Sequence, residues 1–178
     1  MWLNEEKVSD SALCAYRESL FNSCPNHVVI DGLFDETKLD DVMKVLHNSY
    51  FWQTQKHTYS TLYVDSAQWE KASNEQRFVQ RDVWRREADS ANAVSSNVAD
   101  NLLSFLRGDE FMSLLSRIFN VALTDMNVAD PEINTNYFRL NSANFVKQHA
   151  DDSPGREVCM LLYLNKDWRT NGHCSAPH

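Results

Sequence analysis

The sequence predicts an α+β fold, with N-terminal helices packed on one face of a mostly antiparallel sheet. Two patterns carry this prediction. Apolar residues recur at helical spacing through much of residues 1–120, whereas the later residues form short alternating runs separated by turn residues. The 178 residues, 43% hydrophobic and 24% charged, also fit one globular domain of ordinary size.

Four helices are predicted in this first part of the chain. The first spans Glu5–Phe21, the second follows the capping residue Asp35, the third spans Ala91–Leu106, and the fourth follows Asp109 as its cap. Gly108 is expected to end the third helix. The expected inward faces of the last three helices are Leu39, Val42, Met43 and Leu46, then Val94, Val98, Leu102 and Phe105, then Met112, Leu115 and Phe119.

Strands are predicted at six places, because β-branched and aromatic residues cluster or alternate there between turn residues. These places are His27–Ile30, Tyr59–Val64, Val121–Val128, Asn136–Leu140, Asn144–His149 and Glu157–Leu164. Four of them follow Asn120, so the sequence predicts helices first and strands afterwards. This order favours an α+β layout over a parallel α/β sheet.

The charge balance disfavours nucleic acid as a direct partner. The net charge is −8 and the isoelectric point is about 5.2, so the chain as a whole repels phosphate. The densest basic cluster comprises Arg77, Arg81, Arg85 and Arg86. Because acidic residues are interleaved with these arginines, we interpret the cluster as a solvated face.

The sequence also predicts a cytoplasmic protein without a membrane span. The apolar runs are only a few residues long, far short of the ~20 that a membrane helix needs. The N-terminus carries Glu5 and Glu6 rather than a basic segment followed by an apolar one, so a secretory signal peptide is not expected. The four cysteines show no CxxC spacing, which argues against a zinc ribbon.

The motif with the clearest chemistry is His149-Ala150-Asp151, at the end of the predicted strand Asn144–His149. Residues two apart on a strand project to the same face, so the imidazole and the carboxylate are expected side by side. Such a pair provides two of the three ligands of the 2-His-1-carboxylate triad that binds non-haem Fe(II). The spacing alone is weak evidence, and a surface loop pair is the alternative.

The residues around this motif make the signal more specific. An arginine-bearing run, Tyr137-Phe138-Arg139-Leu140, leads through a polar turn into the strand that ends in His149-Ala150-Asp151. A variable loop then leads to an apolar run that ends in Tyr163-Leu164-Asn165. In these elements and their order, the chain resembles the prolyl-hydroxylase-like branch of the Fe(II)/2-oxoglutarate-dependent dioxygenases.

The resemblance implies a double-stranded β-helix, or jelly roll, of about eight strands. Only part of it is expected here, with the N-terminal helices packed on a partial jelly roll. The implied organisation is a mainly helical support region at residues 1–120, the first part of the oxygenase core at 121–170 and an irregular tail at 171–178.

The resemblance also implies a cofactor site. His149 and Asp151 are its expected iron ligands, with 2-oxoglutarate as co-substrate and ascorbate as the reductant that keeps the iron reduced. Tyr137 and Tyr163 lie where the family often lines the 2-oxoglutarate pocket. A core aromatic residue is the alternative for both, and it is favoured for Tyr137. For Arg139 a structural ion pair is the favoured role.

In this family a second iron-binding histidine, and an arginine or lysine that pairs with 2-oxoglutarate, follow some tens of residues beyond the His-x-Asp motif. Here the sequence ends soon after the motif, with His173 and His178 in its last residues. These are poor substitutes, because ligand geometry has to be held by surrounding structure. We therefore expect a dioxygenase that is incomplete in this chain. Its expected substrate is a protein or a small molecule, and the resemblance favours prolyl residues of a protein.

The alternative is a non-catalytic protein-interaction domain or an inactive remnant of such an oxygenase. The predicted strand Glu157–Leu164 is apolar on both faces, as a strand inside a closed sandwich would be. Without neighbouring strands it would expose a sheet edge through which the chain self-associates.

Overall fold

A computed structural model describes residues 1–47, 49–85, 97–124, 135–149 and 158–166. Its α-helices are α1 (Asp10–Asn22), α2 (Glu36–Leu46), α3 (Ser66–Lys71), α4 (Val98–Arg107) and α5 (Asp109–Phe119). Its strands are β1 (Trp52–Thr58), β2 (Arg77–Trp84), β3 (Phe138–Arg139) and β4 (Phe145–Val146). Two short 3-10 helices, Glu5–Val8 and Ser49–Phe51, precede α1 and β1. The predicted α+β class, with an antiparallel sheet, is confirmed.

Side-chain caps explain where most of the helices begin. The carboxylate of Asp35 accepts a hydrogen bond from the Lys38 backbone N–H at 2.9 Å and starts α2, as predicted. Asn97 caps α4 in the same way through the Asp100 N–H at 3.0 Å. Ser9 caps α1, which divides the predicted helix Glu5–Phe21 into a 3-10 turn and α1.

The sheet is built around β2. On one side β1 pairs with it antiparallel, with Trp52 opposite Trp84 and a register shift after His57. On the other side β3 and β4 follow one another along the same edge of β2. They pair with opposite ends of β2, and a turn over residues 141–144 lies between them. None of these strands is joined to β2 by a tight hairpin: α3 lies between β1 and β2 in sequence, and α4 and α5 lie between β2 and β3.

The main core lies between the helices and one face of this sheet. The indole of Trp84 is fully buried and contacts the rings of Phe51, Trp52 and Tyr137. The buried helical residues of the same core include Leu13, Leu20, Val42, Leu46, Ala99, Leu102, Leu103, Leu106, Phe111, Leu114 and Ile118. Val79 and Val83 are also buried, but they are not part of this cluster. The end of β2 at Trp84 thus joins the sheet to the helical layer.

The helix predictions need small corrections. The third helix begins at Val98, and residues 91–96 of its predicted span lie outside the described residues. Gly108 ends α4 and is itself the N-cap position of α5, so Asp109 is the first residue of that helix rather than its cap. The most buried residues of α5 are Phe111, Leu114 and Ile118, whereas the predicted inward residues Met112, Leu115 and Phe119 are half-buried.

The strand predictions were less accurate. The segments His27–Ile30 and Tyr59–Val64 form no strand, and the predicted order of helices first and strands afterwards is wrong. The two longest strands, β1 and β2, lie among the helices in sequence. They were not predicted, because their buried residues include the polar His57, Thr58 and Asp82 and do not alternate with exposed ones.

The predicted strands after Asn120 survive only in part. Asn136–Leu140 shortens to β3, and Asn144–His149 shortens to β4. Residues 121–124 and 158–164 are not in strands, and the rest of Val121–Val128 together with Glu157 lies outside the described residues. The described strands form one sheet that joins residues of the ranges 1–120 and 121–170, and a jelly roll stays a prediction. No described helix is both long and apolar enough to cross a membrane.

Candidate functional site

The candidate iron ligand His149 lies just past the end of β4. Val146 of β4 is opposite Val79 of β2, and the Lys147 backbone N–H donates to the Phe78 carbonyl at 3.1 Å, which continues the pairing by one residue. The His149 ring lies edge-on to the Phe78 ring, with 5.3 Å between the centroids. The residue is exposed, so a ligand from solvent reaches the strand end without rearrangement of the core.

One hydrogen bond defines the chemistry of this imidazole. The Nδ1 atom of His149 lies 2.9 Å from the carbonyl oxygen of Lys147. A carbonyl oxygen only accepts hydrogen bonds, so Nδ1 carries the proton and Nε2 carries the ring lone pair in the neutral form. Histidines that bind metals commonly donate their other N–H to a backbone carbonyl in this way. The geometry of His149 therefore fits a metal ligand that binds through Nε2.

The partner carboxylate of the motif, Asp151, lies outside the described residues. Its position beside His149 stays a prediction. Within the described ranges, no three His, Cys, Asp or Glu residues are grouped closely enough to hold a metal ion. Of the two predicted ligands, only His149 is among the described residues.

The two tyrosines assigned to the co-substrate pocket have different environments. Tyr137 is buried, its hydroxyl donates to the Ala99 carbonyl at 2.8 Å, and its ring lies edge-on to Trp84. This is the core position that the sequence favoured for Tyr137. Tyr163 is 79% exposed, so its side chain fills no core space, and its role toward a co-substrate stays a prediction.

Arg139 forms the ion pair that the sequence favoured for it. Its Nη2 donates to a carboxylate oxygen of Asp82 at 3.0 Å, and Asp82 is only 5% exposed. The Thr54 hydroxyl donates to the other carboxylate oxygen at 2.9 Å. Burial raises the pKa of Asp82, but the hydrogen bonds from Thr54 and Arg139 outweigh burial, and the pKa is lowered overall. The buried Asp82 carboxylate of β2 thus links β1, through Thr54, to β3, through Arg139.

The opposite face of the sheet carries a polar pair that the sequence analysis missed. His57 of β1 is 6% exposed, and its Nε2 has no hydrogen-bond partner among the described residues. Burial, followed by the charge of Arg81, lowers the pKa of His57, so the ring is neutral at pH 7. Arg81 is half-buried, so the expected solvated face does not hold for this residue, whereas Arg85 is exposed as expected.

The sequence signal for this pair was weak. The run Gln53-Thr54-Gln55-Lys56-His57 contains no large apolar residue, so hydrophobic alternation did not mark β1. Local indications of two paired strands were few. They were the aromatic residues before this run and the pattern Phe78-Val79-Gln80-Arg81-Asp82-Val83 in β2.

Comparison with known proteins does not assign the chain to a family. No family model, no curated protein and no solved structure matches this sequence.

Proposed function

We propose that this chain is a domain of the Fe(II)/2-oxoglutarate-dependent dioxygenase type, related to prolyl hydroxylases, in which His149 and Asp151 bind the metal. The observation that supports it best is the Nδ1–H bond from His149 to the Lys147 carbonyl, which places the ring lone pair on Nε2, as in many metal-binding histidines. The motif residues around His149 and their order along the sequence add to it.

In such a site, bound Fe(II) with 2-oxoglutarate and O₂ supplies the oxidation of a C–H bond, with release of succinate and CO₂. The residues of this chain have the simpler tasks of orienting the ligands. The pairing of Val146 with Val79 and of Lys147 with Phe78 fixes the strand from which His149 projects. The Lys147 carbonyl fixes the tautomer of its ring. Ascorbate as reductant, a protein or small-molecule substrate and a cytoplasmic location belong to the same proposal.

Metal binding is the direct test. Mn(II) is a redox-stable probe for a His and carboxylate site, and its free concentration is measured by electron paramagnetic resonance. We expect the purified 178-residue chain to bind Mn(II), and we expect His149→Ala and Asp151→Ala each to weaken binding about tenfold or more, the scale of losing an oriented ligand.

A matched control is available in the same chain. The Nδ1 of His27 also donates to a carbonyl two residues earlier, that of Pro25, at 2.8 Å, but Val29 takes the place of the aspartate. His27→Ala should leave Mn(II) binding unchanged. Equal weakening by all three substitutions would mean that exposed histidines bind the ion nonspecifically, and the metal proposal would be wrong.

Turnover is expected to be weak or absent in this chain. Two protein ligands hold Fe(II) loosely, and we assign no residue to the family's distal histidine or to its 2-oxoglutarate-binding arginine. Succinate formed from 2-oxoglutarate by the purified chain is the measurement. Robust succinate formation that His149→Ala abolishes would show that the site is complete rather than partial.

A second candidate, a self-associating interaction domain, is supported by residues 158–166. Leu162 and Leu164 pack against the helical core, and Lys166 forms an ion pair with Asp40 of α2. Leu161 and Tyr163, which alternate with these two leucines, are 70% and 79% exposed. An extended segment that is anchored by one face and apolar on the other presents a surface that a second copy of the chain covers.

A further inference from the structure

The sheet face that carries Arg81 and His57 is here called the Arg81 face. The β1–β2 register places Gln55 opposite Arg81 and His57 opposite Val79. Directly opposed residues of an antiparallel pair share a face, as do alternate residues of one strand. By the same rule Val146 of β4 and Phe138 of β3, which are opposite Val79 and Val83, flank the two polar side chains.

Arg81 has no carboxylate partner within the described residues. Its guanidinium carbon lies 3.7 Å from the centre of the Phe138 ring, and its Nε is buried without a hydrogen-bond partner in the described chain. The nearest acid in sequence, Asp82, projects to the opposite face, where Arg139 and Thr54 bind it. An N–H group of a charged side chain that is buried without an acceptor, as this Nε–H is, costs free energy that an anionic acceptor would offset.

The ring of Phe138 orients this guanidinium without satisfying it. Stacking on an aromatic ring occupies one flat side of the guanidinium. Its N–H groups still point outward in the guanidinium plane and can donate hydrogen bonds there. A carboxylate is the ligand that accepts two such N–H groups side by side. His57 lies in the neighbouring row of the same face, with a buried Nε2 that lacks a partner in the described ranges.

The position of His57 is itself restrained. Its ring centroid is 4.9 Å from that of Tyr63, a residue held at φ 55°, in the left-handed region that tyrosine rarely adopts. The loop between β1 and β2 therefore folds back beside this end of the Arg81 face, and the Tyr63 ring contacts one side of the His57 ring.

We propose that the Arg81 face binds a carboxylate group, with Arg81 as the primary contact and His57 as a neutral hydrogen-bonding neighbour. Phe138 and Val146 provide apolar contacts for the part of the ligand that carries the carboxylate. The site does not use His149, so it is independent of the proposed metal centre. The carboxylate belongs either to a free small acid or to an aspartate or glutamate side chain of a protein, since both present the same group to the guanidinium.

The experiment follows the Arg81 Nε–H signal in ¹H–¹⁵N spectra of the full chain in metal-free buffer. One arm titrates glutarate, a free dicarboxylate, and the other titrates acetyl-Ala-Glu-Ala-amide, a side-chain carboxylate with blocked ends. Acetyl-Ala-Gln-Ala-amide is the neutral control. We expect a saturable shift of this signal in at least one carboxylate arm and none with the neutral peptide. The arm that binds more tightly identifies the source of the carboxylate.

Arg81→Met separates a binding role from a structural one. Since the arginine has no counter-charge in the described chain, its replacement by an apolar residue should not lower the melting temperature, while carboxylate affinity falls about tenfold or more. Arg77→Met on the same strand is the control, because Arg77 lies on Trp69 and donates to the Trp69 carbonyl. It should leave the affinity unchanged.

Three results would overturn the proposal. The first is no shift of the Arg81 signal in either carboxylate arm. The second is an equal shift with inorganic phosphate, which would indicate a general anion contact. The third is an Arg81→Met protein that fails to fold while Arg81→Lys, which keeps the charge but loses the planar fork, binds carboxylate as tightly as the original chain. Loss of Mn(II) binding in His149→Ala has no bearing on any of these outcomes.

Discussion

Removal of the Arg139 guanidinium should destabilise the sheet through the carboxylate that it leaves behind. In Arg139→Gln, the Asp82 carboxylate keeps the hydrogen bond from Thr54 but loses its counter-charge, and at 5% exposure water replaces little of that loss. Hydrogen bonds to charged groups contribute about 1.5–3 kcal/mol, and Arg139 is itself about half exposed, so we expect a loss near the lower end, about 2 kcal/mol. For a protein of this size that corresponds to a melting temperature lower by about 4–8 °C.

The same variant should show a defined pH dependence. The pKa of Asp82 in the folded chain is below its ordinary value of 3.8, so the ion pair contributes its full stabilisation above that value. The contribution is lost as the pH falls through the lower, folded-state pKa. The difference in unfolding free energy between the original chain and Arg139→Gln should therefore be constant near pH 7 and shrink below about pH 4.

Urea denaturation at pH 7 and at pH 3.5, followed by tryptophan fluorescence, measures both quantities. Arg117→Gln is the matched control, because Arg117 pairs with Asp10 at 2.6 Å on the surface, where the aspartate side chain is almost fully exposed. Exposed ion pairs contribute little, so this variant should be much less destabilised. Equal losses in the two variants, or a loss in Arg139→Gln that persists unchanged at low pH, would refute the argument.

Two further predictions concern packing. Phe111→Ala should cost about 3–5 kcal/mol in unfolding free energy, since Phe111 is fully buried and contacts the Phe34 and Phe105 rings; a loss below about 1 kcal/mol in urea denaturation would contradict this core assignment. The chain should self-associate at tens of micromolar in analytical ultracentrifugation, and Leu161→Asp should reduce the association; a monomeric original chain would rule out the exposed row at Leu161 and Tyr163 as its contact.

Local signals predicted α1, α2, α4 and α5 well and the strands poorly, and the short helix α3 was not predicted. α2 was predicted because its cap, Asp35, and its inward residues Val42 and Leu46 are all within one segment. β2 carries buried Asp82 and half-buried Arg81 among its apolar residues, and charged residues at such positions are normally signs of solvent exposure. Asp82 is tolerated because Arg139, 57 residues later, is opposite it, and a single-sequence pattern does not contain that pairing.

In the candidate site, too, the sequence predicted what depends on nearby residues and missed what depends on strand pairing. His149 was singled out because the His-x-Asp spacing and its strand are contiguous in sequence, and its role as a ligand stays a prediction. An ion pair was predicted for Arg139, but its partner, Asp82, was not. His57 and Arg81 were not recognised, because their proximity depends on the register between two strands that were not predicted. Tyr137 was assigned to the core by its residue type, and its hydrogen bond to the Ala99 carbonyl required the fold.

The contact between α1 and α5 affects how the chain folds during synthesis. Arg17 of α1 donates to the Arg117 carbonyl of α5, a separation of 100 residues, and Asp10 pairs with Arg117 over 107 residues. At ribosomal rates of about 5–20 residues per second, α1 is complete for roughly 5–20 s before α5 emerges to meet it. Through that interval the buried residues Leu13 and Leu20 lack the part of their native packing that α5 completes, so α1 reaches its final environment only late in synthesis.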